Sequence, residues 1–280
     1  VESKRQKTIL IIQDISCVGR CSMQVVLPVL AASGLRCAML PTALFSTHTG
    51  GFGQVHRLDL LKDMEGIINH WQRLGLAFDA VYTGYLGAAA QAELVLSFLA
   101  QLMAPEGKLY VDPVMADQGK PYAFCGDDMV AGLKALCQRA DVIFPNRTEA
   151  ALLLGRQIIA GLEPEVPDQA QVLSLGAPQA VLTGVISQEG QIGVTAYSAG
   201  QEPKTLLHKR YPGSYPGTGD MLASAVIAGL MREHMLESAC ALALDFIDAA
   251  FAAAVSRPLP ARYGLPFELA LPGFIRALGG

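Results

Sequence analysis

The turn Tyr215-Pro216-Gly217-Thr218-Gly219-Asp220 runs directly into an apolar stretch of small residues, 221–230. Glycine admits positive φ and lets backbone N–H groups come close to a ligand. A helix that starts there leaves its first N–H groups unpaired and carries partial positive charge. That combination suits an anion. Asp220 stands at the junction, where a carboxylate repels the anion that the turn attracts. Either it caps the helix, which stabilises by roughly 1 kcal/mol, or it serves as a catalytic base. Spacing alone leaves both open.

Such a group needs a scaffold to position it. Residues 8–13 (TILIIQ) form a near-continuous apolar run, as buried parallel strands do. A polar loop from Asp14 follows, then a helix over 21–33 stopped by Gly34, and a strand over 37–40. After Pro41 comes a hydroxyl- and glycine-rich loop, 45–53, that holds His48. Leu58, Leu61, Met64, Ile67, Ile68, Trp71 and Leu74 keep helical spacing and predict one core-facing helix. Strands are predicted at 80–85, 109–114, 141–144 and 180–183, with helices at 88–103, 127–139, 148–154 and 167–175. Residues 191–198 and 205–210 read as a β pair, followed by the glycine turn and two helices. The tail from Arg257, with Pro258, Pro260, Pro266 and Pro272, reads as a surface wrap.

This alternation predicts an α/β fold: a doubly wound, mostly parallel sheet flanked by helices on both faces. No linker or internal repeat divides it, so residues 1–280 read as a single domain. Ligands in such sheets bind beyond the carboxyl ends of the strands. The loops 14–19, 46–53, 84–87, 112–119, 146–149 and 183–184 should therefore line one crevice with the glycine turn.

Composition narrows the partners. The formal charge is −4 (21 basic against 25 acidic residues), which argues against nucleic acid or an anionic membrane. The polar start has no secretory core, and six scattered cysteines suit reduced thiols, so a cytoplasmic location is expected. Cys17 and Cys21 have no companion pair and do not read as a metal site. The apolar helix near 238–256 is interrupted by Asp245 and Asp248, and no membrane span is expected.

Two phosphate motifs are absent. Gly107-Lys108 and Gly119-Lys120 are followed by Leu109 and Pro121, so there is no Walker loop. Gly217-x-Gly219 lies late in the chain and has Leu222 where a dinucleotide fingerprint needs a third glycine. Gly217-Thr218-Gly219-Asp220 at a late helix start instead resembles the signature of ribokinase-like kinases. Within them the chain resembles the pyridoxal (vitamin B6) kinases. The matching stretches are 13–19, Phe45-Ser46-Thr47-His48-Thr49-Gly50, Thr83-Gly84-Tyr85-Leu86-Gly87, Asp112-Pro113-Val114-Met115 and Pro145-Asn146-Arg147-Thr148-Glu149-Ala150. They occur in family order over nearly the whole chain.

The resemblance implies transfer of the ATP γ-phosphoryl group to the 5′-hydroxymethyl of pyridoxal, pyridoxamine or pyridoxine. Asp220 would take the hydroxyl proton, and Gly217, Thr218 and Gly219 would form an anion hole. Asp112 would act near metal and phosphates, with Asn146 and Glu149 holding Mg2+ through water and Thr183 contacting ATP. Asp14, Thr49 and Tyr85 would face the pyridine ring, under a flap at 116–126 that includes Asp117. A homodimer is implied, and K+ dependence is left open. Asp14 departs from the pattern, since many relatives of this kind carry Ser there. Plainer roles stand beside these: a capping box for Asn146 and Glu149, a turn for Asp112-Pro113, a crevice wall for Tyr85, loop hydrogen bonding for His48. The alternatives are a hydroxymethylpyrimidine kinase, whose group often has Cys at the Asp220 position, a sugar kinase, and a non-catalytic nucleotide or pyridoxal phosphate binding protein.

Overall fold

The computed structural model describes residues 5–257 and 259–279; residues 1–4 of the polar start, Pro258 of the tail and Gly280 lie outside the described residues. In chain order the elements are β1 (Thr8–Ser16), α1 (Met23–Ala32), β2 (Arg36–Phe45), β3 (Arg57–Asp59), α2 (Leu61–Arg73), β4 (Phe78–Thr83), α3 (Ala89–Leu102) and β5 (Met103–Val111). Then come the short strands β6 (Ala116–Asp117) and β7 (Lys120–Pro121), α4 (Asp127–Cys137), β8 (Val142–Ile143), α5 (Arg147–Leu153), α6 (Gln169–Leu173) and β9 (Gln179–Ile186). The chain closes with β10 (Ile192–Ser198), β11 (Lys204–His208), α7 (Thr218–Met231), α8 (Leu236–Ser256), a 3-10 turn (Ala261–Tyr263) and α9 (Phe267–Ala277).

Nine strands form one sheet in the order β11-β10-β9-β8-β5-β4-β1-β2-β3. The strands from β2 to β9 across its centre pair in parallel, while β3, β10 and β11 add antiparallel edges. On one face α1, α7, α8 and α9 bury residues such as Val26, Ala225, Phe246 and Phe274 against the sheet. On the other, α2 to α6 bury Met64, Phe98, Leu133, Leu153 and Val172. The expected doubly wound α/β arrangement is present. Because β1 lies between β2 and β4, the chain changes direction across the sheet there. The crevice of such a fold opens at that switch point, beyond the strands' carboxyl ends.

Several elements differ from expectation, among them β5, which starts at Met103 rather than 109, and the unpredicted β6–β7 pair. β1 continues past Asp14, because Ile15 and Ser16 pair with Leu44 and Phe45 after a register break at Gln13/Ile15. β2 runs through Pro41, which the sheet tolerates because β3 pairs only with residues 43–45 and leaves the outer edge open there. Leu58 lies in β3 with an exposed side chain, so helix α2 starts later than the apolar spacing suggests. The tail is no surface wrap: Leu265, Phe267, Ala270, Phe274 and Leu278 are buried in the first core. Pro266 precedes α9, and Pro272 lies inside it.

Among the described residues, α8 alone is long and apolar enough to cross a membrane by length and composition, so Asp245 and Asp248 do not interrupt it. Its buried side packs into the first core with α7 and α9, and Asp248 pairs with His208 Nδ1 at 2.6 Å.

Candidate functional site

Gly217 sets the turn. Its φ of 84° is left-handed, and a side chain there would run into the Arg20 carbonyl. Met221 N is the first amide to join the α7 ladder, on Gly217 O at 2.9 Å. The amides of the first turn before it have no helical acceptor, and Thr218 N makes only a 3.4 Å contact with Tyr215 O. Gly219 is exposed and Thr218 half-buried, so the turn lies at the surface of the fold.

Asp220 sits beside them without capping the helix; no side-chain cap bond is made at this terminus. Its carboxylate is held at two points instead. Gln13 Nε2 donates to Oδ1 at 2.7 Å, and Ser22 N donates to Oδ2 at 2.7 Å. Ser22 adopts a φ of 53°, a left-handed conformation unusual for a residue with a side chain, and so presents its amide to Asp220. Desolvation raises Asp220 to about 7, aided by the Asp14 charge and opposed by the Ser22 and Gln13 donors. A carboxylate tuned near neutrality is suited to general-base work.

Three more carboxyls converge on this end of the sheet. Asp14 is buried and accepts from Ser16 Oγ at 3.1 Å; burial raises its pKa. Asp112, also buried, follows β5 and lies 3.5 Å from the Tyr82 hydroxyl. Burial, then the Asp220 charge, pushes it well up. Glu149 is buried and pushed well up by burial and by Asp112. Its oxygens accept from Met115 N at 3.1 Å and Asn146 N at 2.8 Å. Asn146 returns the bond, accepting from Glu149 N at 2.9 Å, so the capping box is real. Asn146 Nδ2 donates to Ala116 O at 2.7 Å, which commits both ends of the amide to the fold. Thr183 bridges to Asn146 and stands beside it in β9.

The N-terminal loops close the crevice. His48 is held by Arg262 O at 2.6 Å and accepts from Gly50 N at 3.0 Å, a loop-building role. That places the loop carrying the exposed Thr49 next to Pro216 of the glycine turn, 3.7 Å from a side chain built on Gly50. The Tyr85 ring packs edge-on against Phe45 at 5.6 Å and Phe124 at 4.9 Å. Asp117 lies on the β6–β7 hairpin with an exposed side chain and accepts from Gln118 N at 3.0 Å. The hairpin is docked by Gly119 N on Thr148 Oγ1 at 2.9 Å.

A sequence model of the phosphomethylpyrimidine kinase family matches residues 23–258. The chain belongs to this family, within the ribokinase-like superfamily. The pyridoxine/pyridoxal/pyridoxamine kinase of Bordetella avium is 30% identical over 229 residues, 79% of this chain and 76% of its own. A hydroxymethylpyrimidine/phosphomethylpyrimidine kinase of Rhizobium meliloti is 28% identical over 84% of this chain and 87% of its own. The crystal structure of pyridoxal kinase from Lactobacillus plantarum superposes with a TM-score of 0.88 and 34% identity, covering 96% of this chain and 97% of that one. The resemblance to pyridoxal kinases therefore holds.

The structure also brings to this candidate site residues that the sequence analysis gave no role. Gln13 and Ser22 hold Asp220, and Phe45, Tyr122 and Phe124 build the aromatic wall around Tyr85. Gln13 left one signal: it is the polar residue at the end of an otherwise apolar buried run. Ser22 left none, because its contribution is a backbone amide. The donor set of Asp112 and Glu149 fits a hard cation. Both side chains offer carboxylate oxygens, the donor type such an ion takes, and both are buried.

Proposed function

We propose that this kinase transfers the γ-phosphoryl group of ATP to the 5′-hydroxymethyl group of a vitamin B6 vitamer. The observation that carries this is the Asp220 carboxylate, anchored by Gln13 and Ser22 in the first turn of α7 beside the glycine turn. Asp220 accepts the hydroxyl proton, the substrate oxygen bonds to the γ-phosphorus, and the bond from phosphorus to the ADP oxygen breaks. The amides at Gly217, Thr218 and Gly219 stabilise charge on the transferring group. Asp112 and Glu149 would hold Mg2+ through water, with Asn146 fixing Glu149 and Thr183 placed next to the phosphates. When bound there, Mg2+ would supply neutralisation of phosphate charge. Asp14, Thr49 and Tyr85 face the pyridine ring, and the hairpin with Asp117 covers it. One kinase domain over 1–280, homodimer formation and a cytoplasmic site of action belong to the same proposal.

The family's own description and the Rhizobium relative favour one other substrate, hydroxymethylpyrimidine. ATP consumption is to be measured with pyridoxal, pyridoxamine, pyridoxine and hydroxymethylpyrimidine in turn. The B6 alcohols are expected to exceed the pyrimidine by at least about tenfold in kcat/KM, within reach of pocket discrimination. The reverse order replaces the substrate assignment, and no turnover with any alcohol points to a binding protein.

Asp14 bears on vitamer choice. A carboxyl facing the ring favours a protonated or amine-bearing substrate. Asp14→Ser is expected to lower the ratio of kcat/KM for pyridoxamine over pyridoxal. An unchanged ratio removes Asp14 from specificity.

A further inference from the structure

We propose that Gln13 is a positioning residue for phosphoryl transfer: its amide fixes the Asp220 carboxylate and ties it to the loop that carries Tyr85. This rests on Asp220 being the base, as proposed above. Gln13 is 1% exposed near the end of β1. Its Oε1 accepts from Tyr85 N at 2.5 Å, and its Nε2 donates to Asp220 Oδ1 at 2.7 Å. Tyr85 N needs an acceptor and the carboxylate needs a donor, so only one orientation of the amide satisfies both. The fit is tight: a side chain on Gly84 would fall onto the Gln13 amide.

A register break lies at this point of β1, between Gln13 and Ile15. Regular alternation sends adjacent side chains to opposite faces of a sheet. Both Gln13 and Asp14 are buried; Gln13 crosses to Asp220, while Asp14 meets Ser16 two residues along its own strand. Irregularities of this kind re-aim side chains next to active sites. Gln13 thus spans the switch point of the sheet, joining the ends of β1 and β4 to the head of α7. The candidate ring wall and the candidate base are held in one frame. A base held in a single rotamer needs no search before it meets the hydroxyl proton.

The test compares two variants. Gln13→Met removes both hydrogen bonds at similar volume. Gln13→Glu keeps the acceptor for Tyr85 N but turns an acceptor toward Asp220. Removing the donor destabilises the charged carboxylate, so the acid limb of the kcat profile moves to higher pH in both, and further in Gln13→Glu, where two carboxyls compete for a proton. kcat is expected to fall about tenfold or more in each, while KM for ATP stays within about twofold. The shifted limb is what a merely structural glutamine would not produce, and Gln13→Glu preserves shape should Gln13→Met fold poorly. Wild-type kcat and pH profile in Gln13→Glu beside an inactive Asp220→Asn overturn the positioning role alone. Normal turnover in Asp220→Asn overturns the base assignment and this proposal with it.

Discussion

Asp220→Asn is expected to lose at least about 10²-fold in kcat while the fold and ATP binding persist, as removal of a positioned base does. The loss is chemical, because an amide cannot take the hydroxyl proton. It is not a loss of capping, since Asp220 makes no cap bond. The same variant carries an independent signature in stability. The folded pKa of about 7 lies above the ordinary 3.8. The folded state therefore binds this proton more tightly than the unfolded state does. Stability contributed by that proton is complete below pH 3.8 and is lost as pH rises through about 7. Asn has no proton to lose. The Tm of the variant minus that of wild type is thus expected to increase from pH 4 to pH 7 and to level off above it. The amide faces one donor too many, Gln13 Nε2 or Ser22 N, so the offset between the curves differs from zero while the slope remains. Thermal melts across that range check it. Parallel curves would mean that Asp220 titrates normally, and an Asp220→Asn enzyme that turns over normally would remove the base from the mechanism.

Much of this site was legible in the chain because chemistry and topology speak through residue type. A glycine turn before a small-residue helix marks a candidate anion site, and polar residues at the ends of apolar strands mark a candidate crevice. The ordered loops then placed Asp14, Tyr85, Asp112, Glu149 and Asp220 at one end of the sheet. What stayed hidden depended on tertiary partners. Leu58 fits a helical stripe, yet pairing of Ala43, Leu44 and Phe45 with residues 57–59 draws it into an edge strand. Pro41 looks like a strand terminator until the missing outer neighbour is known. Proline-rich tails suggest surface, whereas Phe267 and Phe274 are buried, and Phe274 stacks on Phe246 at 4.8 Å. Ser22 is hidden for the plainest reason, since no side-chain property records the direction of its amide. Asn146 shows the converse. Its residue type suggests a ligand contact, but both ends of its side chain are spent on Ala116 and Glu149.

Gly217→Ala is expected to be the most damaging single-methyl change in the turn. Left-handed backbone costs a residue with a Cβ roughly 1–2 kcal/mol. The new methyl also meets backbone that cannot swing aside: the Arg20 carbonyl, and Cys21 Cα at 3.0 Å. Overpacking of this kind adds about 1–3 kcal/mol, so a total loss of about 2–5 kcal/mol follows, measured as a lower urea midpoint. Activity should fall further than stability alone implies. Residues 20 and 21 lead into Ser22, whose amide anchors Asp220, so displacing them misaligns base and anion hole together. A misplacement near 1 Å costs about 10²-fold in kcat. Gly219→Ala separates the two effects. It has no neighbour within 4 Å and lies in the first turn of α7, where Ala is favoured over Gly by roughly 0.5–1 kcal/mol. Its fold should be as stable as wild type or more so, while its methyl points into the space where the phosphoryl group is proposed to sit and raises KM for ATP. Stability unchanged in Gly217→Ala would show that residues 20–21 yield, and that Ser22 is not braced by the turn. Stability kept and ATP affinity lost in Gly219→Ala would mark the exposed side of the turn as the anion's side.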